Sequence, residues 1–136
     1  MVSFTALTLG LIAAASASAI PTPQSTVFAD VTFSLTNDIT GANARATIPG
    51  NGADVPFDDL FLGTSVAPNG EIFATSIQFV TLPPNVFSAC VFNVNGQTVV
   101  INDKKTFGDI DGNPYKAIPQ KLNGITINCQ TDGVVA

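Results

Sequence analysis

The feature that most limits the fold of this chain is a set of short segments in which apolar and polar residues alternate, separated by tight-turn dipeptides. Between residues 27 and 35 every second side chain is apolar, which places these side chains on one face of a β-strand. Dipeptides that tolerate positive φ recur along the chain at Asn51-Gly52, Asn69-Gly70, Asn95-Gly96, Asp111-Gly112, Asn123-Gly124 and Asp132-Gly133. After the first 19 residues no segment shows a capped apolar stripe of helical period. The sequence therefore predicts an all-β fold, an antiparallel β-sandwich or a small β-barrel with hairpin connections.

Two hairpins are predicted from these turns. Asn95-Gly96 lies between the alternating segments 90–94 and 97–101, and a two-residue loop of this type is a strong short-range hairpin signal. A second hairpin is predicted from strands over 60–67 and 71–82, which flank another Asn-Gly turn. Both hairpins favour antiparallel pairing of neighbouring strands.

The first 19 residues have the pattern of a secretory signal peptide. An apolar run over 7–15 is followed by Ala17-Ser18-Ala19, a small-x-small cleavage pattern. The run is too short to span a bilayer, which takes about 20 apolar residues. We expect a secreted, extracellular protein without a membrane span, in which an extended leader over 20–25 precedes a single β domain over 26–136. The alternative for the N-terminal segment is a buried helix.

The two cysteines are expected to form a disulfide. Secretion would place Cys90 and Cys129 in an oxidising compartment, where two thiols of a small domain usually pair. Closing a loop across this separation of 39 positions stabilises the fold by about 4 kcal/mol in the loop-entropy model. That is a large share of the total stability of a small domain, about 5–15 kcal/mol.

Composition excludes several classes of function. The 136 residues include no His, which excludes imidazole catalysis and His-containing zinc sites. Five Lys and Arg against ten Asp and Glu give a net charge of -5, which argues against a nucleic-acid partner. We therefore expect a protein that is not an enzyme, with no cofactor and no catalytic or metal-binding residues.

One acidic segment has the residue types of a calcium loop. Asp109, Asp111 and Asn113 place side-chain oxygens at alternate positions. Its glycine is the fourth residue, where an EF-hand has its glycine sixth, and Gln120 stands where the bidentate Glu would be. We predict a loop of Asx turns, with calcium bound at some other spacing as the alternative.

Two further segments are candidates for function. Asp58 and Asp59 could divide acid and base roles, but adjacent residues of an extended segment point to opposite faces, which favours solvated turn carboxylates. Residues 50–57 are rich in turn formers and end in an aromatic residue, as in an exposed contact loop. Its candidate contact residues are Asn51, Asp54, Val55 and Phe57. The alternative is a plain strand connection with Phe57 in the core.

Several segments resemble one family of secreted proteins. They are Ala17-Ser18-Ala19-Ile20-Pro21, Leu35-Thr36-Asn37-Asp38-Ile39-Thr40-Gly41-Ala42-Asn43-Ala44, Cys90-Val91-Phe92 and the second Cys near the end. This layout resembles small secreted fungal proteins of the hypersensitive-response-inducing elicitor type. The resemblance implies a β-rich extracellular protein that plants perceive, with local cell death and defence signalling, and it supplies no catalytic residues.

The function expected from these observations is binding at the plant host surface, as an elicitor or effector. The expected partner is an unknown host protein or cell-surface component, and we expect a monomer. Two alternatives stay open: a structural or surface-coating cell-wall protein, and a secreted inhibitor of host hydrolases.

Overall fold

Strands make up more than half of the residues that the structure describes, and the one helix among these residues is a single turn long. The computed structural model describes residues 27–113, 115–132 and 134–135. Strands account for 53% and helix for 5% of the structure. In chain order the elements are β1 Val27–Phe28, β2 Asp30–Asn37, β3 Ala42–Pro49, β4 Asn51–Pro56, α1 Phe57–Phe61, β5 Phe73–Ala74, β6 Ser76–Thr81, β7 Ser88–Val94, β8 Gln97–Asn102, β9 Phe107–Asp109, β10 Gln120–Lys121, β11 Thr126–Thr131 and β12 Val134–Val135.

Two four-stranded antiparallel sheets form the body of the fold. One has the order β3-β2-β6-β9, called here the hairpin sheet, and the other has the order β4-β11-β7-β8, called the disulfide sheet. Two short pairs, β1 with β12 and β10 with β5, lie beside them. The sheets do not close into a barrel, so the all-β prediction is confirmed in its sandwich form.

The alternation in β2 produces the inner face of the hairpin sheet. Val31, Phe33 and Leu35 are fully buried, and Phe33 lies opposite Ala46 on one neighbouring strand and Phe79 on the other. Burying each such side chain contributes about 1.5–3 kcal/mol. The period-two pattern therefore identified the core face of this strand correctly.

The hairpin predicted at Asn95-Gly96 is confirmed. The last paired residues of β7 and β8 are Val94 and Gln97, which leaves two residues in the loop. Both have positive φ, 49° at Asn95 and 78° at Gly96, as a two-residue hairpin turn of the mirror-image type requires.

The chain passes between the sheets at Gly50, which joins β3 to β4. Its N–H donates to the Ala29 carbonyl at 2.9 Å, and its carbonyl accepts from Thr131 N–H at 3.0 Å. A Cβ at this position would lie 2.6 Å from Thr131 Cγ2 and 3.0 Å from the Ala29 oxygen. Only glycine allows the backbones to approach this closely.

The predicted strand over 60–67 is wrong, because α1 and a series of turns occupy this region. Phe57 and Phe61 lie four positions apart, on one side of the helical turn, and both are fully buried. Phe61 packs 5.9 Å from Phe33, and Phe57 packs edge-on 5.0 Å from Phe92, measured between ring centroids. A five-residue helix is too short to show its period in the sequence.

The second strand of that predicted hairpin is divided into β5 and β6. Ala74, Thr75 and Ser76 are all buried, so the strict alternation is lost at this point. The Thr75 hydroxyl lies 3.1 Å from the Thr36 carbonyl and 2.8 Å from Asp38 Oδ2, which satisfies a polar group inside the protein. Hydrogen bonding therefore lets a polar residue occupy a buried position in the same alternating row as Ile77 and Phe79.

The predicted signal peptide, its cleavage site and the leader lie outside the described residues. Within the described residues, no helix is both long and apolar enough to cross a membrane.

Candidate functional site

The predicted disulfide is confirmed. Cys90 in β7 and Cys129 in β11 are directly opposite in the register of the disulfide sheet and are bonded to each other. Both are buried, with 1% and 0% of their surface exposed. The bond therefore ties the two central strands of one sheet from the core side, where reductants have little access.

The predicted contact loop over 50–57 is a strand rather than a loop. Asn51, Asp54 and Val55 belong to β4, which pairs with β11. Phe57 as a contact residue is wrong, because its ring is fully buried among core aromatic rings. Asn51 and Asp54 are exposed and Val55 is half-buried, and their role as contacts stays a prediction.

Asp58 and Asp59 lie in the first turn of α1, not in an extended segment. Asp58 Oδ1 accepts the N–H of Gly124 at 2.8 Å, and Asn123 Nδ2 lies 3.4 Å from its other oxygen. Asp59 is exposed. The solvated-carboxylate interpretation fits Asp59 but is wrong for Asp58, which fastens the helix to the turn before β11.

The Asx-turn interpretation of the acidic segment after β9 is confirmed. Asp111 Oδ1 accepts the N–H of Asn113 at 3.0 Å, and its Oδ2 accepts the N–H of Ile118 at 2.8 Å. Asn113 Oδ1 accepts from Tyr115 N–H at 2.9 Å and from Lys116 N–H at 3.2 Å. Among the described residues, no group of three or more Asp, Glu, Cys or His side chains is placed to hold a metal ion.

The carboxyl groups of Asp109 and Asp111 interact directly. The hydrogen bond to Asp111, then burial and the negative charges of Asp111 and Asp38, raise the pKa of Asp109 to about 6. Burial acts to raise the pKa of Asp111, but hydrogen bonds from Asp109, Ile118 and Asn113 outweigh burial and hold that pKa below its usual value. The pair therefore takes up a proton near pH 6 on Asp109.

These carboxylates line a surface cavity of about 450 Å³ at one end of the hairpin sheet. Asp38 joins them from the β2–β3 turn, held there by Thr75. Phe107 and Tyr115 line the same cavity, with 50% and 95% of their surfaces exposed. We call the cavity lined by Asp38, Phe107, Asp109, Asp111 and Tyr115 the acidic groove.

Only part of the acidic groove was visible in the sequence. Asp109 and Asp111 were singled out, whereas Asp38, Phe107 and Tyr115 were missed. Phe107 could have been noticed because it is two positions before Asp109 in one strand and so shares its face. Asp38 is about 70 positions away, and only tertiary folding brings it into the groove.

Comparison with models of protein families, with curated proteins and with solved structures finds no match to this chain. The protein is therefore described by its own structure, as a disulfide-bonded antiparallel sandwich with an acidic, aromatic groove at one end.

Proposed function

We propose that the protein acts outside the cell by binding, as an elicitor or effector that contacts a component of the plant surface and induces defence or local cell death. The signal-like N-terminus, the resemblance of the sequence to secreted fungal elicitors and the disulfide support an extracellular role. The observation that carries the binding role is the acidic groove, where exposed aromatic rings stand beside three carboxylates.

Exposed aromatic side chains suit a binding surface for energetic reasons. Phe107 and Tyr115 present large apolar areas that are removed from water when a partner docks, and aromatic residues dominate interface energetics. The carboxylates beside them, on a chain of net charge -5, favour a partner segment that carries Lys or Arg. The proposed partner is therefore a host protein with a basic, partly apolar contact surface.

The groove is preformed, because contacts within the protein fix the residues that line it. Phe107 lies in β9, which pairs with β6, and Asp38 accepts a hydrogen bond from buried Thr75. Asp111 fastens the segment that carries Tyr115 through two backbone hydrogen bonds. A preformed surface loses less conformational entropy on binding, which favours affinity.

The test is infiltration of the full chain, secreted from a yeast host, into leaves alongside three variants. Phe107→Ala and Tyr115→Ala remove the two groove aromatics. Phe87→Ala is the matched control, since Phe87 is 47% exposed but lies before β7, outside the groove. Loss of an interface anchor raises the required dose about tenfold or more.

We expect a defence response to the unmodified chain at micromolar dose, a weaker response to the groove variants and an unchanged response to Phe87→Ala. No response to the folded chain, with a positive control active, would overturn the elicitor role. Equal responses from all the variants would place recognition outside the groove.

The two alternatives make different predictions for the same preparation. A surface-coating wall protein self-associates, so a monomer in sizing chromatography at high concentration counts against it. An inhibitor reduces the activity of hydrolases in host extracellular fluid, and groove variants would lose this effect.

A further inference from the structure

The inward-facing row of β2 ends in a polar side chain. Val31, Phe33 and Leu35 are fully buried, and Asn37 continues the row with only 7% of its surface exposed. Its Oδ1 accepts the N–H of Ile39 at 3.0 Å. Within residues 27–113, 115–132 and 134–135, no group accepts a hydrogen bond from its Nδ2, and this atom keeps some contact with solvent, so its N–H groups are open to an acceptor outside the protein.

Asn37 lines a cavity of about 350 Å³ beside the β2–β3 turn. Most of the wall is apolar and comes from Ala42, Val66, Pro68 and Phe73. This volume lies at the small end of the range for small-molecule sites, which are mainly apolar with a few directed polar groups. A side-chain amide open to solvent in a largely apolar cavity matches this description.

The cavity wall is fixed by hydrogen bonds between its segments. The Ser65 hydroxyl donates to the Asn43 carbonyl of β3 at 2.8 Å. Phe73 N–H donates to the Val66 carbonyl at 3.1 Å, which joins the two sides of the Asn69-Gly70 turn. The cavity is therefore present without a ligand, and a ligand need not open it.

The charges at the cavity favour a neutral occupant. Glu71 is the one ionisable side chain among the lining residues that the structure describes, and Lys121 Nζ lies 3.5 Å from its Oε2. An anion would meet the Glu71 carboxylate, and a cation would find that carboxylate already paired with Lys121.

We propose that this cavity binds a small neutral molecule with an aromatic ring and a carbonyl oxygen. The ring packs between Phe73 and Pro68, and the carbonyl oxygen accepts a hydrogen bond from Asn37 Nδ2. The acidic groove takes no part in this binding, so the cavity proposal and the elicitor proposal are tested independently.

The test is a titration of the ¹⁵N-labelled full chain with acetophenone, followed by NMR. We expect shifts of the Asn37 side-chain NH₂ signals and of the backbone signals of Ala42, Val66 and Phe73, with a Kd of about 1 mM. Ethylbenzene has the same ring and nearly the same shape without the carbonyl, and it should bind at least about tenfold more weakly. Equal binding of the two probes would overturn the role of Asn37.

Asn37→Asp keeps the oxygen that accepts from Ile39 but removes the NH₂ donors, so acetophenone binding should fall at least about tenfold. Asn93→Asp is the matched control, because Asn93 Oδ1 likewise accepts a hydrogen bond, from Thr98, and lies in β7 away from the cavity. Should Asn37→Asp unfold, Ala42→Leu fills the cavity instead and should abolish the shifts.

Unchanged binding by either cavity variant, or shifts confined to other surfaces, would contradict the proposal. So would the absence of shifts with acetophenone at about 10 mM, and so would glucose binding more tightly than acetophenone.

Discussion

Each of the two large sheets of the sandwich is stabilised by a different kind of interaction. The disulfide sheet has a covalent bond between its two central strands, buried against the core. The hairpin sheet contains no cysteine, and in the groove at its end the segment that carries Tyr115 is fastened by hydrogen bonds to the carboxylate of Asp111. The difference separates a sheet fastened by a covalent bond that does not titrate from a groove in which the Asp109 carboxyl group titrates near pH 6.

The largest effect is expected from removing the covalent bond. Replacing both Cys90 and Cys129 with Ala should lower the free energy of unfolding by about 4 kcal/mol, because the unfolded chain regains the freedom of a long loop. Urea unfolding followed by circular dichroism measures this. A loss below about 1 kcal/mol would mean that the disulfide sheet does not depend on its bond.

A smaller effect is expected at the crossing between the sheets. Gly50→Ala places a methyl group 2.6 Å from Thr131 Cγ2 and should destabilise the fold by about 1–3 kcal/mol through overpacking. Gly63 has open space around it, but Gly63→Ala cannot serve as the uncrowded control. Its φ of 85° strains any residue with a side chain, whatever the space around it. Combining Gly50→Ala with Thr131→Ser removes the crowding methyl group and should recover part of the loss in thermal unfolding.

In the hairpin sheet, Asp111→Asn should cost about 1 kcal/mol, because an amide oxygen accepts backbone hydrogen bonds more weakly than a carboxylate does. The groove should be affected more than the rest of the fold. Amide hydrogen exchange measures this, with faster exchange expected at Ile118 and unchanged exchange in β7. Uniform acceleration in both sheets would contradict the separation described above.

The smallest effect is the dependence of stability on pH. The pKa of Asp109 is raised in the folded protein, from 3.8 to about 6, so the folded state holds a proton in this window that the unfolded state has lost. The stability that this proton contributes is complete below about pH 4 and is lost as the pH rises through about 6. Asp111 acts in the opposite direction, because its lowered pKa contributes stability that is lost as the pH falls below its usual value.

Asp109→Asn should therefore reduce the decline in stability between pH 4 and pH 6.5 and leave the acid limb unchanged, since its amide donates to Asp111 at every pH. Urea unfolding of both proteins at several pH values measures the difference. Parallel profiles of the two proteins across this window would exclude Asp109 as the source of the decline.

The parts of the fold that the sequence predicts well are those encoded locally. The Asn95-Gly96 hairpin needs only adjacent residues, and the inward row of β2 needs only its own alternation. The pairing of Cys90 with Cys129 was predictable because the chain offers no other cysteine.

What the sequence could not predict depends on contacts between distant segments. The helix at Phe57–Phe61 is too short for periodicity, and its two rings find their places only against Phe33 and Phe92. The acidic groove draws on three segments far apart in the chain, around Asp38, Thr75 and Asp109. Asn37 did carry a local signal, since it is the one polar residue that continues the inward row of β2.

The crossing at Gly50 also joins an edge of one sheet to an edge of the other. β3 runs directly into β4 there, so an edge strand of the hairpin sheet continues into an edge strand of the disulfide sheet. Ser65 donates a hydrogen bond to the Asn43 carbonyl of β3, and α1 also contacts β3. At the opposite side β8 lies against β9. The two sheets are thus joined along both sides, by the chain itself at Gly50 and by the contact of β8 with β9, which restricts sliding of one sheet over the other.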